Sequence, residues 1–163
     1  MIDSDDNFDV LSDDIGSWEL HIEVARDDFS KLMLNLSVLV VDDHPTHRQC
    51  AQAIFEALGC VVTLTENGAA ALEACARRRF DVVLMDRHMP GGDGDEAVRR
   101  LRRREGAARR TFIACCSSDP PGDLSPGYDV LVPKPLTVAV AADLLRWAAA
   151  QAIAAPPVGA PRS

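Results

Sequence analysis

The sequence lacks any long apolar run and any secretory leader. Its longest apolar runs, such as residues 37–41 and 82–85, are far shorter than the ~20 residues that a membrane span needs. Residues 1–14 are acidic, whereas a secretory leader opens with basic residues and continues with apolar ones. We therefore expect a cytoplasmic protein that makes no membrane contact.

The cysteines show no paired spacing, and lysine is scarce. The five cysteines are odd in number and only Cys115 and Cys116 are adjacent, so the sequence predicts neither a disulfide framework nor a zinc site. Of the 17 basic residues, Lys31 and Lys134 are the only lysines. Because arginine serves wherever a general positive charge is needed, Lys134 marks a position where we expect a compact ammonium to matter.

Charge divides the chain into an acidic arm and a neutral domain. Residues 1–31 hold ten acids against two bases, which accounts for the whole formal charge of −8. We assign residues 1–36 to the arm and expect one strand in residues 17–24, where apolar and polar residues alternate. Residues 37–155 are apolar enough to form a domain with its own core, and we expect residues 156–163 to be a disordered tail.

From residue 37 onward, short apolar strands alternate with helical patterns, which is typical of a parallel sheet covered on both faces. The predicted strands cover residues 37–41, 60–65, 80–85, 111–116 and 130–132. The predicted helices cover residues 45–58, 68–78, 95–105 and 137–154. Residues 117–129 contain three prolines and two glycines, so no full helix is expected between the last two strands.

Apolar spacing also predicts the buried side of two helices. In the first helix the predicted buried residues are Cys50, Ile54, Ala57 and Leu58. In the third helix they are Ala97, Val98 and Leu101. Thr137 is expected to cap the last helix.

Acidic residues stand where two of the predicted strands end. Asp42 and Asp43 follow the first strand, and Asp86 follows the third. In an open parallel sheet the carboxyl ends of the strands meet at one edge, where ligands bind, so these carboxylates should converge. Such a cluster repels itself unless a cation neutralises it, and a carboxylate-rich site with few protein ligands suits Mg²⁺.

Lys134 ends the fifth strand and brings an ammonium to the same edge. A carboxylate, a divalent cation and a lysine together can carry out attack on phosphorus, with Asp86 forming an acyl phosphate. A single aspartate after a strand usually forms a turn or caps a helix, but three aspartates and one lysine at strand ends in this order favour the chemical interpretation.

The same residues lie in three blocks, VLVVDDHP, DVVLMDRHMPGGDG and LVPKPL, which resemble the receiver domain of two-component response regulators, including the chemotaxis regulators. The resemblance covers residues 37–154, and DDHPTHR and KPLT are similar to receivers of hybrid histidine kinases. It implies a flavodoxin-like, doubly wound α/β fold. The parallel five-stranded sheet would have the order 2-1-3-4-5, here with the fourth helix shortened or missing.

The resemblance implies a role for each site residue. Asp86 would be the phosphoacceptor, and Lys134 would pair with the phosphoryl group. Mg²⁺ would be held by Asp86, by Asp43 directly, by Asp42 through a water, and by the backbone carbonyl of His88.

Two positions depart from the family pattern. The family ends its fourth strand in a Thr or Ser whose hydroxyl bonds the phosphoryl group, and Cys116 occupies that position, with Ser117 one residue later. The fifth strand usually carries an aromatic residue that moves with this hydroxyl, and Leu131 occupies its position. We therefore expect the phosphoryl chemistry to be retained and the usual relay of the signal to be weakened.

The function implied is that of a phosphoryl-accepting receiver in a phosphorelay, not a turnover enzyme. A histidine kinase or histidine phosphotransfer protein would supply the phosphoryl group, and a downstream protein target would read it by direct contact. We expect no DNA-binding domain and, at most, a weak homodimer. The alternative is a degenerate receiver that acts as a phosphorylation-independent docking or nucleotide-second-messenger-binding module. A hydrolase is disfavoured because His88 stands where a second acid would be needed.

Two other clusters leave alternatives open. Seven arginines fall within residues 99–110. They can form a solvated helix face, pair with the acidic arm, or bind the phosphates of a nucleotide or nucleic acid. A transition-metal site at His44, His47 and His88 is a further alternative, although no cysteine or carboxylate accompanies them at zinc spacing.

Overall fold

The described residues form five strands and four helices, which alternate except where the last two strands follow each other. The computed structural model describes residues 35–90, 94–105, 111–119, 122 and 124–154. In chain order the elements are β1 (Ser37–Val41), α1 (Pro45–Ala57), β2 (Val61–Thr65), α2 (Gly68–Arg77), β3 (Val82–Asp86), α3 (Gly94–Arg104), β4 (Phe112–Ser117), β5 (Val130–Pro133) and α4 (Val138–Ala154). The strand expected within residues 17–24 and the tail expected at residues 156–163 lie outside the described residues.

All five strands belong to one parallel sheet in the order β2-β1-β3-β4-β5. The fold class and the strand order are therefore those predicted from the sequence, and both are confirmed. β3 and β4 are buried along their whole length. Helices cover both faces of these strands, so the sequence of each is an apolar run without polar alternation.

Alternate residues of each strand pack on opposite faces of the sheet. On one face, Phe55 of α1 and Leu144 of α4 belong to the same buried cluster as Leu84. On the other face, Val98 of α3 packs in a cluster with Met85. The helices thus form two layers with the sheet between them, which is the arrangement of a doubly wound fold.

The helices follow several of the predictions. Ala97, Val98 and Leu101 of α3 are buried, as their spacing predicts. Thr137 caps α4, since its hydroxyl oxygen accepts a hydrogen bond of 3.3 Å from the Val140 N–H. Among the described helices, none is long and apolar enough to cross a membrane.

The predicted buried face of α1 is partly wrong. Cys50 and Ala57 are exposed, and the fully buried residues are Ala51 and Phe55 instead. The other two predicted residues are half-buried. Two neighbouring rows of this helix are apolar, one through Cys50 and Ile54 and one through Ala51 and Phe55. The second row packs on the sheet because the large Phe55 ring buries more apolar area.

The connection between β4 and β5 contains no helix in its described residues, which are 118, 119, 122 and 124–129. This agrees with the shortened or missing fourth helix expected from the sequence. Tyr128 is buried in the cluster on the α2 and α3 side of the sheet. The preceding Gly127 has a φ of +104°, and a Cβ there would lie 2.8 Å from Cγ1 of Val98, so the chain can approach α3 this closely only with glycine.

Two side-chain contacts tie this connection to α3: the Ser125 hydroxyl donates to Oδ2 of Asp95 at 2.9 Å, and Arg102 makes several hydrogen bonds. The Arg102 guanidinium donates to the backbone oxygens of Gly127 and Thr111, each at 2.7 Å. It also donates to the carboxylates of Glu105 and Asp129, again at 2.7 Å. Arg102 therefore joins α3 to the start of β4 and to the approach to β5.

Candidate active site

The register of the sheet brings two acids side by side at its carboxyl edge. Val41 at the end of β1 pairs with Met85 of β3, so Asp42 and Asp86 occupy corresponding positions. Taking one carboxylate oxygen from each of Asp42, Asp43 and Asp86, the three atoms lie within 4.8 Å of one another. Asp42 and Asp86 are buried, with 6% and 4% of their surface exposed, whereas Asp43 is exposed.

The ammonium of Lys134 lies between the two buried acids. Its Nζ is 2.9 Å from Oδ2 of Asp42 and 3.2 Å from Oδ2 of Asp86. The position is fixed at the backbone, where the Lys134 N–H donates to the Ser117 carbonyl oxygen at 2.9 Å. We call the site formed by Asp42, Asp43, Asp86 and Lys134 the cleft.

Burial and charge act in opposite directions on the cleft residues. Burial raises the pKa of the Asp86 carboxyl above its ordinary value, although Lys134 and the His88 N–H both favour the carboxylate. At Lys134, burial disfavours the ammonium, but its hydrogen bond to Asp42 and the charge of Asp86 outweigh burial and raise the pKa of the amine. The amine of Lys134 is therefore protonated. Its single positive charge does not balance the negative charge of three carboxylates.

The donor set of the cleft fits a hard divalent cation. Three carboxylates face one ammonium, and all the candidate ligand atoms are oxygens, as Mg²⁺ prefers. His88 lies at the rim, where its N–H donates to Oδ1 of Asp86 at 3.2 Å. Its ring pairs with an acid outside the cleft, with Nε2 at 2.5 Å from Oδ2 of Asp119.

Cys116, not Ser117, faces the cleft. Cys116 is the register partner of Asp86 and belongs to the buried cluster on the α1 and α4 side. Ser117 is buried as well, and its hydroxyl oxygen accepts a 3.1 Å hydrogen bond from the Asp119 N–H. Burial raises the pKa of the Cys116 thiol to about 12, so the group beside Asp86 is a neutral thiol at physiological pH.

Leu131 lies on the opposite side of the sheet from Cys116. It is half-buried and packs against the cluster that contains Met85 and Tyr128. The position where the family carries a mobile aromatic residue is therefore held by an aliphatic side chain in contact with the core.

His47 contacts two residues of the cleft. The sequence had suggested it only as a possible metal ligand. Its Nδ1 lies 3.3 Å from Oδ2 of Asp42 and 3.4 Å from Nζ of Lys134, and its ring stacks on His44 at 4.7 Å. Because α1 starts at Pro45, residue 47 lies in its first turn, next to the cleft. The predicted start of this helix was the sequence feature that could have placed His47 there. In the part of the chain that the structure describes, no group of three metal-type ligands includes a histidine.

Three of the exposed arginines of α3 share one carboxylate. Glu96 lies 3.0 Å from Arg99, 2.9 Å from Arg100 and 3.5 Å from Arg103. The hydrogen bonds from Arg100 and Arg99 lower the pKa of Glu96. These side chains form a solvated, internally paired surface, while Arg109 and Arg110 lie outside the described residues.

A cavity of about 630 Å³ opens beside the cleft, between α1 and the segment that joins β5 to α4. Its polar end contains Asp42, Asp86, Lys134 and His47. The rest of its lining is mainly apolar and includes Val40, Ala51, Ile54, Leu84, Cys116 and Leu136. The reactive groups of the cleft thus share one space with an apolar surface.

Known proteins match most of the described region. A family profile described as the response regulator receiver domain matches residues 38–138. The sensor histidine kinase AruS of Pseudomonas aeruginosa is 42% identical over 79 residues, which are 48% of this chain and 8% of that protein. The sensor protein GacS of Pseudomonas syringae is 43% identical over 65 residues, 40% of this chain and 7% of that protein. The chain spans less than a tenth of the length of these two relatives.

Solved structures show the same fold. The receiver domain of the sensor histidine kinase PA1611 from Pseudomonas aeruginosa matches with a TM-score of 0.66 and 30% identity, covering 71% of this chain and 98% of that one. That structure has a magnesium ion coordinated in its active-site cleft. A receiver domain from Methylobacillus flagellatus matches with a TM-score of 0.63 and 21% identity, covering 70% and 98% of the two chains.

Proposed function

The chain belongs to the response regulator receiver domain family, and from this membership we propose that it accepts a phosphoryl group on Asp86 from a histidine kinase or a histidine phosphotransfer protein. The observation that carries the proposal is the cleft itself. Three carboxylates and one lysine meet at the carboxyl edge of the sheet, and the nucleophile candidate is buried beside the ammonium.

Each cleft residue has a task in this reaction. An Oδ atom of Asp86 attacks phosphorus, a P–O bond forms, and the P–N bond to the donor histidine breaks with its electron pair leaving on the nitrogen. Lys134, already 3.2 Å from Asp86, pairs with an oxygen of the incoming phosphoryl group. Asp42, Asp43, Asp86 and the backbone carbonyl of His88 would hold Mg²⁺, which supplies positive charge against the phosphoryl oxygens.

The product is an acyl phosphate formed once per chain, so the protein acts as a phosphoacceptor and not as a turnover enzyme. Signalling would then pass to a downstream protein by direct contact. The match to sensor histidine kinases such as AruS and GacS supports a histidine kinase as the phosphodonor.

The test is phosphorylation by acetyl phosphate and Mg²⁺, followed by mass spectrometry of the intact chain. We expect the mass of one phosphoryl group, lost on treatment with hydroxylamine because the product is an acyl phosphate, and no labelling when the metal is removed with EDTA. Asp86→Asn should abolish labelling. Asp119→Asn, which changes an acid at the rim and not in the cleft, should retain it. Labelling that persists in Asp86→Asn would refute the assignment.

A further inference from the structure

The apolar cavity beside the cleft has a chemical consequence for small phosphodonors. We propose that it binds the alkyl chain of an acyl phosphate, so that donors with a chain of several carbons phosphorylate Asp86 faster than acetyl phosphate does. The inference rests on the proposed function, since it names the class of small molecule that the same cleft accepts.

The two ends of the cavity differ in chemistry. Asp86 and Lys134 lie at one end, where the phosphoryl group must be for attack by the carboxylate. Ile54, Leu84 and Leu136 line the other part, so a chain leading away from the phosphoryl group meets aliphatic carbon. The volume of about 630 Å³ lies within the range of ~300–1,000 Å³ typical of small-molecule sites.

An acyl phosphate has one charged end and one apolar end, like the cavity. Its phosphoryl end is anionic and faces the ammonium of Lys134, and its alkyl end is uncharged. Among the described residues, the charged groups that line the cavity are those of its polar end, namely Asp42, Asp86, Lys134 and the ionisable His47. None of the described residues along the apolar part would pair with a charged tail. Burial of the alkyl chain removes apolar surface from water and so favours binding of the donor. Tighter binding raises the rate of phosphorylation, because the bound donor lies beside the nucleophile.

The reaction balances without a further reactant. The bond between phosphorus and the acyl oxygen breaks, and its electron pair leaves on the released carboxylate. A new bond forms between phosphorus and an Oδ atom of Asp86. No proton is transferred, and neither partner is oxidised or reduced.

The experiment compares acetyl, butyryl and hexanoyl phosphate as donors for the full chain with Mg²⁺, measured as second-order rate constants of Asp86 phosphorylation. Each buried methylene contributes up to about fourfold, so we expect hexanoyl phosphate to react on the order of tenfold or more faster than acetyl phosphate. Ala53 lines the cavity but is exposed, which allows Ala53→Phe to fill the space without disturbing the core.

Ala53→Phe should remove the preference for long chains and leave the rate with acetyl phosphate within about twofold. Ala57→Phe is the matched control, because Ala57 is exposed on the same helix and does not line the cavity. It should keep the preference. Equal rates for the three donors, or a preference that survives in Ala53→Phe, would overturn the inference while labelling by acetyl phosphate upholds the proposed function. Failure of all three donors would overturn the proposed function itself.

Discussion

Cys116 is the residue that most changes the chemistry expected of this cleft. Where the family places a hydroxyl, the chain offers a thiol whose pKa is raised to about 12 by burial, so it stays protonated. A thiol is a weak hydrogen-bond donor, whereas a hydroxyl bonded to a charged oxygen contributes about 1.5–3 kcal/mol. The bond that would couple β4 to a phosphoryl group on Asp86 is therefore weak.

We expect Cys116→Thr to enlarge the structural response to phosphorylation. A loss of about 1.4 kcal/mol in differential binding costs about tenfold in the ratio of active to inactive states, so restoring the hydroxyl should recover a change of that order. The measurement is the change in amide chemical shifts of β4 and β5 when beryllium fluoride is added as a phosphoryl mimic.

The control for this prediction is Ser117→Ala, which alters the neighbouring hydroxyl on the other side of the strand and should leave the response unchanged. Large shifts across β4 and β5 in the wild type, without a further gain in Cys116→Thr, would show that another group already couples the phosphoryl site to the sheet.

Residues whose positions follow from strand order were predictable from the sequence, and residues placed by packing were not. Asp42, Asp86 and Lys134 each end a strand of a parallel sheet, so topology alone brings them to one edge. The contact between His47 and Asp42 depends on how α1 is rotated about its axis. A helix with apolar residues in two neighbouring rows does not specify that rotation.

At the level of elements, the undetermined rotation of α1 explains why its buried face was predicted partly wrongly. Apolar spacing permits either the row through Cys50 and Ile54 or the row through Ala51 and Phe55. The choice depends on packing against the sheet, where the large ring of Phe55 is buried in the same cluster as Leu84. In α3 the prediction was right because charged residues occupy every row except the one through Ala97, Val98 and Leu101, which leaves a single apolar face.

The described residues between β4 and β5 form no helix, and α3 makes polar contacts that hold this connection. Arg102 contributes four hydrogen bonds, and the Asp129 oxygen that accepts one of them also accepts the Ile113 N–H at 2.8 Å. The side chains of Arg102 and Asp129 are 14% and 8% exposed, so the pair is largely removed from water. Removing one partner of a buried ion pair leaves the other without its counter-charge, which is far more costly than removing a surface pair.

Arg102→Met should therefore lower the free energy of unfolding by about 3 kcal/mol. Arg99→Met is the matched control on the same helix, since Arg99 is exposed and its ion pair is with Glu96, and it should change stability by less than about 0.5 kcal/mol. Urea denaturation followed by circular dichroism measures both. Similar stabilities for the two variants would mean that the connection is held by other contacts, such as the packing around Tyr128 and the hydrogen bond from Ser125 to Asp95, and not by the Arg102 network.

For the whole molecule, the sequence already separates two regions by charge. All of the formal charge of −8 belongs to residues 1–31, and the remaining 132 residues carry as many acids as bases. A domain without net charge is not destabilised by general self-repulsion, so its response to pH depends on the particular groups that folding buries. In the described residues, the cysteines are prominent among these groups.

Four thiols make the fold sensitive to alkaline pH. Burial raises the pKa of Cys60, Cys75 and Cys115 from 9.0 to about 11, and that of Cys116 to about 12. In the unfolded chain these thiols lose their protons near pH 9, so between about pH 9 and 11 the unfolded state binds fewer protons than the folded state. The free energy of unfolding must then fall as pH rises, by up to about 1.4 kcal/mol per pH unit for each thiol.

We expect this slope to be shallower in Cys115→Ala than in the wild type, because one of the four buried thiols no longer titrates. Cys50 is exposed, so Cys50→Ala should retain the wild-type slope. Urea denaturation at several pH values between 8 and 10.5 gives the slopes, and comparing slopes separates the titration from any loss of packing, which lowers stability equally at every pH. Equal slopes in all three proteins would show that Cys115 ionises as readily in the folded state as in the unfolded one, and that the alkaline sensitivity arises from another group such as Lys134.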